Sequence, residues 1–232
     1  MITEATRQDP QALASLHLWQ LVSPALPIGA YHFSQGLEYA VHAGWVQDED
    51  GALDWIAGLA DAALGTLDLP LLWRLQQAWQ RDDEAAVLRW SQRLLAARES
   101  AEQRAEERHL GRALAKALHT LGIDAAAHWI THPAATQAGL FALAAARWSI
   151  PARDAARGYL WGWCENQVLA ALKLLPVGQS AGLRLQAALL PQLPDIVARA
   201  FELDDAEIGV AAPLQAMACA WHETQYTRLF RS

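Results

Sequence analysis

Apolar residues recur along this chain at the three- and four-residue spacing that places side chains on one face of a helix. Downstream of Asp50, this pattern is carried by Leu53, Ile56, Leu59, Ala60 and Ala63. Similar spacing predicts helices over about 67–80, 84–121, 134–147, 152–175, 178–203 and 212–222. No convincing strand alternation is present and the connections are short. We therefore predict an all-α fold, a single-domain helical bundle of roughly eight to ten helices.

Two local signals near the start of the chain predict further helices. Pro10 suits the first turn of a helix, which would end at the proline-rich break over 23–29. Ser34 is placed to cap a short helix over 35–43, and Gly44 is placed to end it.

The segment 160–169 is apolar on most of its circumference, as is typical of a helix at the centre of a fold. Glu165, Asn166, Gln167 and Lys173 nevertheless interrupt it or follow it. A buried polar group without a hydrogen bond costs about 1–3 kcal/mol. These side chains therefore form either a structural network inside the core or part of a face that meets a partner.

The run 97–112 is rich in charge, and its like charges are poorly placed for pairing within one helix. Glu102 and Glu106 are four residues apart, and so are Arg104 and Arg108. Like charges at this spacing weaken an isolated helix by a few tenths of a kcal/mol. One interpretation is a solvated face. The other is that opposite charges come from another helix or another chain.

Composition narrows the possible functions. A formal charge of −7 argues against binding to nucleic acid or to an anionic membrane, because both need a basic surface. Cys164 and Cys219 are isolated, which excludes a disulfide scaffold and fits a reducing compartment. The first residues lack the pattern of a signal peptide. We therefore predict a cytoplasmic protein.

Motifs of catalysis are missing from the sequence. There is no nucleotide-binding P-loop and no GxSxG nucleophile turn. His128 and His132 are four residues apart, but Pro133 disfavours helical geometry at His132 and no third ligand is nearby. We expect no catalytic residue, no metal site and no cofactor. The residues alone predict a helical module that binds other proteins and is not an enzyme.

Three segments resemble a known family. They are LVSPALPIGAYHFSQGLEYAV at 21–41, YLWGWCENQVLAALKLLPVGQSAG at 159–182 and HETQYTRLFRS at 222–232. In this order and spacing they resemble urease accessory protein F (UreF), and the likeness runs from about residue 15 to the last residue. The charged run described above also resembles the middle segment of that family.

The resemblance implies a dimeric scaffold for the maturation of urease. Its implied partners are accessory protein D (called H in some organisms), the GTPase accessory protein G and apo-urease, into which nickel is inserted. The chain would comprise a helical domain over 1–222 and a partner-binding tail over 223–232. The implied partner-binding residues are Tyr31, Ser34, Gly36, Glu38, Asn166, Lys173, Gln179, Tyr226, Arg228 and Leu229.

The composition of the tail agrees with this implication. Tyr226, Leu229 and Phe230 are apolar, and a free chain end seldom keeps such residues unless something covers them. Arg228 and Arg231 offer fork-shaped donors suited to carboxylates on another chain. A frayed tail with incidental aromatic residues is the alternative. For the whole chain, a helical small-molecule-binding module of unknown ligand remains the alternative, with an enzyme of unknown type behind it.

Overall fold

The computed structural model describes residues 9–209 and 212–232, and within them the chain forms helices and no β-strand. The all-α prediction is confirmed. The α-helices are α1 (Pro10–Val22), α2 (Leu37–His42), α3 (Glu49–Leu59), α4 (Leu69–Gln80), α5 (Glu84–Ala97), α6 (Ala101–Thr120), α7 (Gln137–Arg147), α8 (Ala152–Leu174), α9 (Gln179–Leu189), α10 (Leu193–Ala200) and α11 (Pro213–His222). Three 3-10 segments (Ala30–His32, Asp124–Ile130 and Leu190–Gln192) and one π-helical segment (Ala60–Asp68) complete the set.

Side-chain caps explain where several helices begin. Asp9 accepts a hydrogen bond from the Gln11 amide at the start of α1, where Pro10 is the first helical residue, as predicted. Ser100 and Gln103 form a reciprocal capping box at the start of α6. These contacts are made within a few residues, so the local sequence sets these helix starts.

The centre of the molecule is the contact between α4 and α7, with α5, α6 and α8 packed around them. All residues of α7 from Ala138 to Ala145 are buried. Helix α8 is buried along one side, where it contacts α1, α4 and α10, and Leu169 and Lys173 are exposed. The second family-like segment, 159–182, therefore runs from the core to the surface.

Helices α3 and α4 and the π-helical segment between them form one continuous helix, Glu49–Gln80. By length and composition this helix could cross a membrane, but its most apolar stretch is 67% buried inside the molecule. Burial against other helices accounts for its apolar character.

Two sequence predictions of helix extent need correction. The predicted run over 84–121 is interrupted, because Arg98 adopts an extended conformation and Ser100 caps a new helix. The helix expected over 35–43 is shorter and begins at Leu37, because Gln35 and Gly36 have positive φ angles of 52° and 89°.

Candidate functional site: the tail and its docking site

The tail (residues 223–232) folds back onto the same chain through its main chain. The amides of Leu229 and Phe230 donate to Oε1 and Oε2 of Glu38 at 2.6 and 2.9 Å. The Arg231 amide donates to the His32 carbonyl at 2.8 Å. At the end of the tail, Phe230 is only 6% exposed and Ser232 is fully buried.

The turn at 34–36 is shaped to receive the end of the tail. The amides of Ser34 and Gln35 both donate to the main-chain oxygen of Ser232, at 2.8 and 3.1 Å, and the Ser34 hydroxyl donates to the same oxygen at 2.6 Å. Gly36 permits the left-handed turn. A Cβ atom on Gly36 would also lie only 3.2 Å from Sγ of Cys219, so glycine allows α11 to approach closely.

His222, the last residue of α11, is fully buried between two carboxylates. Its Nε2 lies 3.0 Å from Oε2 of Glu38, and its Nδ1 lies 2.8 Å from Oε2 of Glu102. The other oxygen of Glu102 accepts from the Arg228 guanidinium at 2.5 Å. We call Glu38, Glu102, His222 and Arg228 the His222 cluster. Helices α2, α6 and α11 and the tail each contribute one of its members.

Glu106 lies one turn along α6 from Glu102 and contacts the end of the tail. Its Oε2 accepts from the Ser232 hydroxyl at 2.8 Å, and its Oε1 accepts from the side-chain nitrogen Nε2 of Gln35 at 2.7 Å. Burial raises the pKa of Glu106 to about 7, although the two hydrogen bonds act in the opposite direction. We define the tail-docking site as Ser34, Glu38, Glu102, Glu106 and His222.

The outer side of the tail remains exposed to solvent. Tyr226 is 103% exposed and Leu229 is 65% exposed. Lys173 of α8 places Nζ 5.8 Å from the ring centre of Tyr31 and 5.4 Å from that of Phe230. Such distances are typical of cation–π contacts. The family-like segments 21–41 and 159–182 and the tail therefore meet at one surface. We call it the tail surface; it comprises Tyr31, Lys173 and the exposed side chains of the tail.

Comparison with known proteins identifies the family. The family model of UreF matches residues 46–190, which is more than half of the chain. The chain belongs to the UreF family. A protein of Alkalilimnicola ehrlichii named urease accessory protein UreF is 50% identical over 228 residues, which are 98% of this chain and 100% of that relative. The predicted resemblance is confirmed. The prediction that the chain is not an enzyme is confirmed too, because the relatives are named as accessory proteins.

Other UreF proteins show comparable similarity along nearly the whole chain. One from Hahella chejuensis is 46% identical over 220 residues, covering 95% of this chain and 99% of the relative. One from Brucella anthropi, named urease accessory protein UreF 2, is 43% identical over 221 residues, covering 95% and 97%. At 98% coverage, the alignment with the Alkalilimnicola protein extends well beyond 46–190 at both ends.

In this UreF-family chain, the predicted partner-binding residues differ in exposure. Ser34 and Glu38 are buried and bond the tail, and Gly36 is buried against α11. Most of the exposed members lie on the tail surface: Tyr31, Lys173, Tyr226, Arg228 and Leu229. Gln179 is different, because it begins α9 as an exposed residue and no hydrogen bond joins its side chain to the described part of the tail.

The polar residues of α8 divide between the two alternatives. Nδ2 of Asn166 donates to the Phe33 carbonyl at 3.1 Å, a structural bond that holds the turn in which the tail ends. Lys173 is exposed on the tail surface and is not part of a network inside the core, and its role in partner binding stays a prediction. Gln167 is fully buried, and its amide has no hydrogen-bond partner among the residues that the structure describes.

The charged run acquires its partners from elsewhere in the same chain. Glu102 and Glu106 bind His222 and the tail, so at these positions the solvated-face interpretation is wrong. Sequence reasoning did not select Glu102, Glu106 or His222 as site residues. The like-charge spacing of the two glutamates was a usable signal, because two carboxylates on one helix face that are withdrawn from solvent require donors from another element.

The histidine pair that was considered as a metal site has other contacts. Nε2 of His128 lies 2.9 Å from Glu84, and Nδ1 of His132 accepts from the Ala134 amide. Across residues 9–209 and 212–232, no three His, Cys, Asp or Glu side chains are grouped as metal ligands would be.

A cavity of about 300 Å³ lies beside the tail-docking site. Its apolar wall includes Leu110 and Phe141, and its polar wall includes Arg98, Glu106 and Asn166. Glu106 therefore contacts both the cavity and the end of the tail.

Proposed function

We propose that this chain is an assembly scaffold for the maturation of urease. It binds accessory protein D (H), recruits the GTPase accessory protein G and takes part in nickel insertion into apo-urease. It works as a cytoplasmic homodimer and as a chaperone of this metalloenzyme, without catalysing a reaction. Family membership supports the urease role, and the names of the relatives agree with it.

The observation that carries the binding role is the two-sided structure of the tail. Its main chain is held by Glu38, Ser34 and His32, while the side chains of Tyr226 and Leu229 face solvent. An immobilised backbone reduces the conformational entropy lost on binding. Tyrosine and arginine are the residue types that most often anchor protein interfaces. The tail thus presents apolar and cationic groups in a conformation that is already ordered.

Arg228 is the residue of the tail best suited to bind a carboxylate of a partner. Only one of its guanidinium nitrogens, Nη1, forms a hydrogen bond within the described residues, and its side chain is 38% exposed. The remaining donors can reach a second carboxylate in the paired geometry that arginine favours. Glu102 keeps the head group oriented before a partner arrives.

We predict that Arg228→Ala weakens binding to accessory protein D by on the order of 2–4 kcal/mol, because the guanidinium is an interface anchor. Titration calorimetry measures the change. A chain ending at His222 should fail to capture accessory protein D in a pull-down. Arg184→Ala is the matched control, because Arg184 of α9 forms an exposed ion pair with Glu49 of α3. Equal affinity of Arg228→Ala and the unchanged chain would refute the anchor role.

The cavity beside the tail-docking site favours the alternative of a small-molecule-binding module. Its volume of about 300 Å³ lies at the lower end of the range typical of ligand pockets. A thermal-shift screen with small ligands separates the two functions. A ligand that raises the melting temperature without affecting partner capture would support the alternative.

A further inference from the structure

We propose that His222 is the positioning residue of the tail, and that its doubly protonated form keeps the tail docked, so that loss of this proton releases the tail. The inference rests on the proposed function only for its consequence, which is that the partner-binding conformation depends on pH. The docking itself is a property of this chain alone.

The hydrogen-bonding geometry around His222 requires two donor nitrogens. Each ring nitrogen of His222 lies within 3.0 Å of a carboxylate oxygen, one on Glu38 and one on Glu102. An ionised carboxylate only accepts hydrogen bonds, whereas a neutral imidazole has one donor and one acceptor nitrogen. Both contacts are satisfied together only when both nitrogens carry hydrogen. The site is therefore built for the imidazolium form.

The charges of the His222 cluster balance when His222 is doubly protonated. Two carboxylates face one imidazolium and one guanidinium, which gives a neutral set. Removing the proton from His222 leaves a net negative charge, and the side chains of Glu38 and Glu102 are only 8% and 18% exposed. An uncompensated charge in such surroundings is strongly unfavourable.

Glu38 connects His222 to the tail. One carboxylate, that of Glu38, contacts both His222 and the tail: Oε2 bonds His222 and the Phe230 amide, and Oε1 bonds the Leu229 amide. A repelled Glu38 carboxylate that turns toward solvent therefore loses the tail amides as well. The charge of His222 therefore affects the position of the tail indirectly, through the Glu38 carboxylate.

Other ionisable groups lie near His222 and the tail. Glu223, the next residue, accepts from the amides of Ala101 and Glu102 at the start of α6. Glu106 of α6 bonds Ser232, and burial raises its pKa to about 7, so it is a competing source of pH dependence at the tail. His109 of α6 is another, because burial and Arg231 of the tail lower its pKa. From α2, Glu38 faces His222. Arg228 of the tail bonds Glu102, which in turn contacts His222.

Hydrogen–deuterium exchange of the Leu229 and Phe230 amides tests the proposal in the full chain without any partner. Protection is measured from about pH 5 to about pH 9, which spans histidine titration in proteins, and is corrected for intrinsic exchange. We expect protection of these two amides to fall by about ten- to a hundredfold as pH rises, as befits the loss of a charge-assisted hydrogen bond. In Glu106→Gln, which removes the ionisable carboxyl at position 106, the fall in protection with rising pH should persist.

Two variants distinguish a charge-dependent role from a merely structural one. The amide of His222→Gln donates only from its nitrogen, and its oxygen can only accept, so it cannot donate from both ends to the two carboxylates. Protection of Leu229 and Phe230 should therefore be low at every pH. Glu102→Gln can donate from Nε2 to the Nδ1 of a neutral imidazole while its oxygen still accepts from Arg228. This variant should therefore keep its protection near pH 9, where the unchanged chain loses it. His119→Gln, at an exposed histidine, is the control and should behave like the unchanged chain.

Protection that does not vary with pH in the unchanged chain would overturn the proposal. So would alkaline loss of protection in Glu102→Gln equal to that of the unchanged chain. Should His222→Gln fail to fold, these two measurements still decide. Capture of accessory protein D is measured separately: a pH-dependent tail without such capture would refute the proposed function and leave this inference intact.

Discussion

At the residue scale, the Glu106 carboxyl lies between α6 and the tail with only 4% of the residue exposed. Burial raises its pKa from 4.5 to about 7. A carboxyl group whose pKa is higher in the folded state stabilises the protein fully below the unfolded value. That stability is lost as pH rises through the folded value. The relevant window therefore runs from about pH 4.5 to about pH 7.

We predict that Glu106→Gln is more stable than the unchanged chain at pH 8 by up to about 3 kcal/mol, since a pKa difference of one is worth about 1.4 kcal/mol. The amide keeps the hydrogen-bonding shape and does not ionise. Near pH 4.5 the two proteins should unfold at similar urea concentrations. A stability difference that is constant across this range would contradict the prediction.

At the scale of elements, α6 crosses the segment before α7 in very close contact, and Gly111 makes this possible. A Cβ atom at position 111 would lie 2.6 Å from the carbonyl carbon of Ala135. Main-chain atoms cannot move aside as the end of a flexible side chain can, so the helix itself would have to shift. Gly58 of α3 offers a contrast, because a Cβ atom there would meet nothing within 4 Å.

We predict that Gly111→Ala destabilises the protein by about 1–3 kcal/mol through overpacking. Gly58→Ala is the matched control and should stabilise it by about 0.5–1 kcal/mol, because alanine favours a helix interior. Urea unfolding of the two variants measures both effects. Equal responses at the two positions would show that α6 has room at residue 111.

At the scale of the whole molecule, Arg98 joins parts of the fold that are far apart in sequence. Its guanidinium bonds Asp68 of the π-helical segment and, at 2.9 Å, Glu107 of α6. The other oxygen of Glu107 accepts from the Gln137 amide at the start of α7. Burial would lower the pKa of Arg98, but the two carboxylates raise it well above its ordinary value. Arg98 therefore stays charged and compensates Asp68 and Glu107.

We predict that Arg98→Ala lowers the free energy of unfolding by about 3–5 kcal/mol, because it leaves two buried carboxylates without a cation. Arg184→Ala removes an arginine from an exposed ion pair and should change stability little. Chemical denaturation of both variants provides the comparison. A small effect at Arg98 would mean that water replaces the guanidinium.

Much of the fold and part of the site could be predicted from the sequence. Helical spacing and caps act within a few residues, so the all-α class and most helices followed from local patterns. The three motifs indicated the family, and they included Glu38 and Arg228. The break at Arg98 was missed, because Arg98 leaves the helical conformation for contacts with Asp68, 30 residues earlier. His222 was missed as a site residue because its partners, Glu102 and Glu38, lie 120 and 184 residues away.

The sequence by itself determined that this chain is helical, acidic and related to UreF, because spacing, composition and motif order are properties of the chain as written. Only the tertiary structure decided which carboxylate meets which donor. Glu38 binds the Phe230 amide 192 residues further along, and the charges of α6 find their partners in α11 and the tail. Such pairings depend on how helices pack. A periodic pattern predicts which side of a helix is buried, and the packing determines which residues that side contacts.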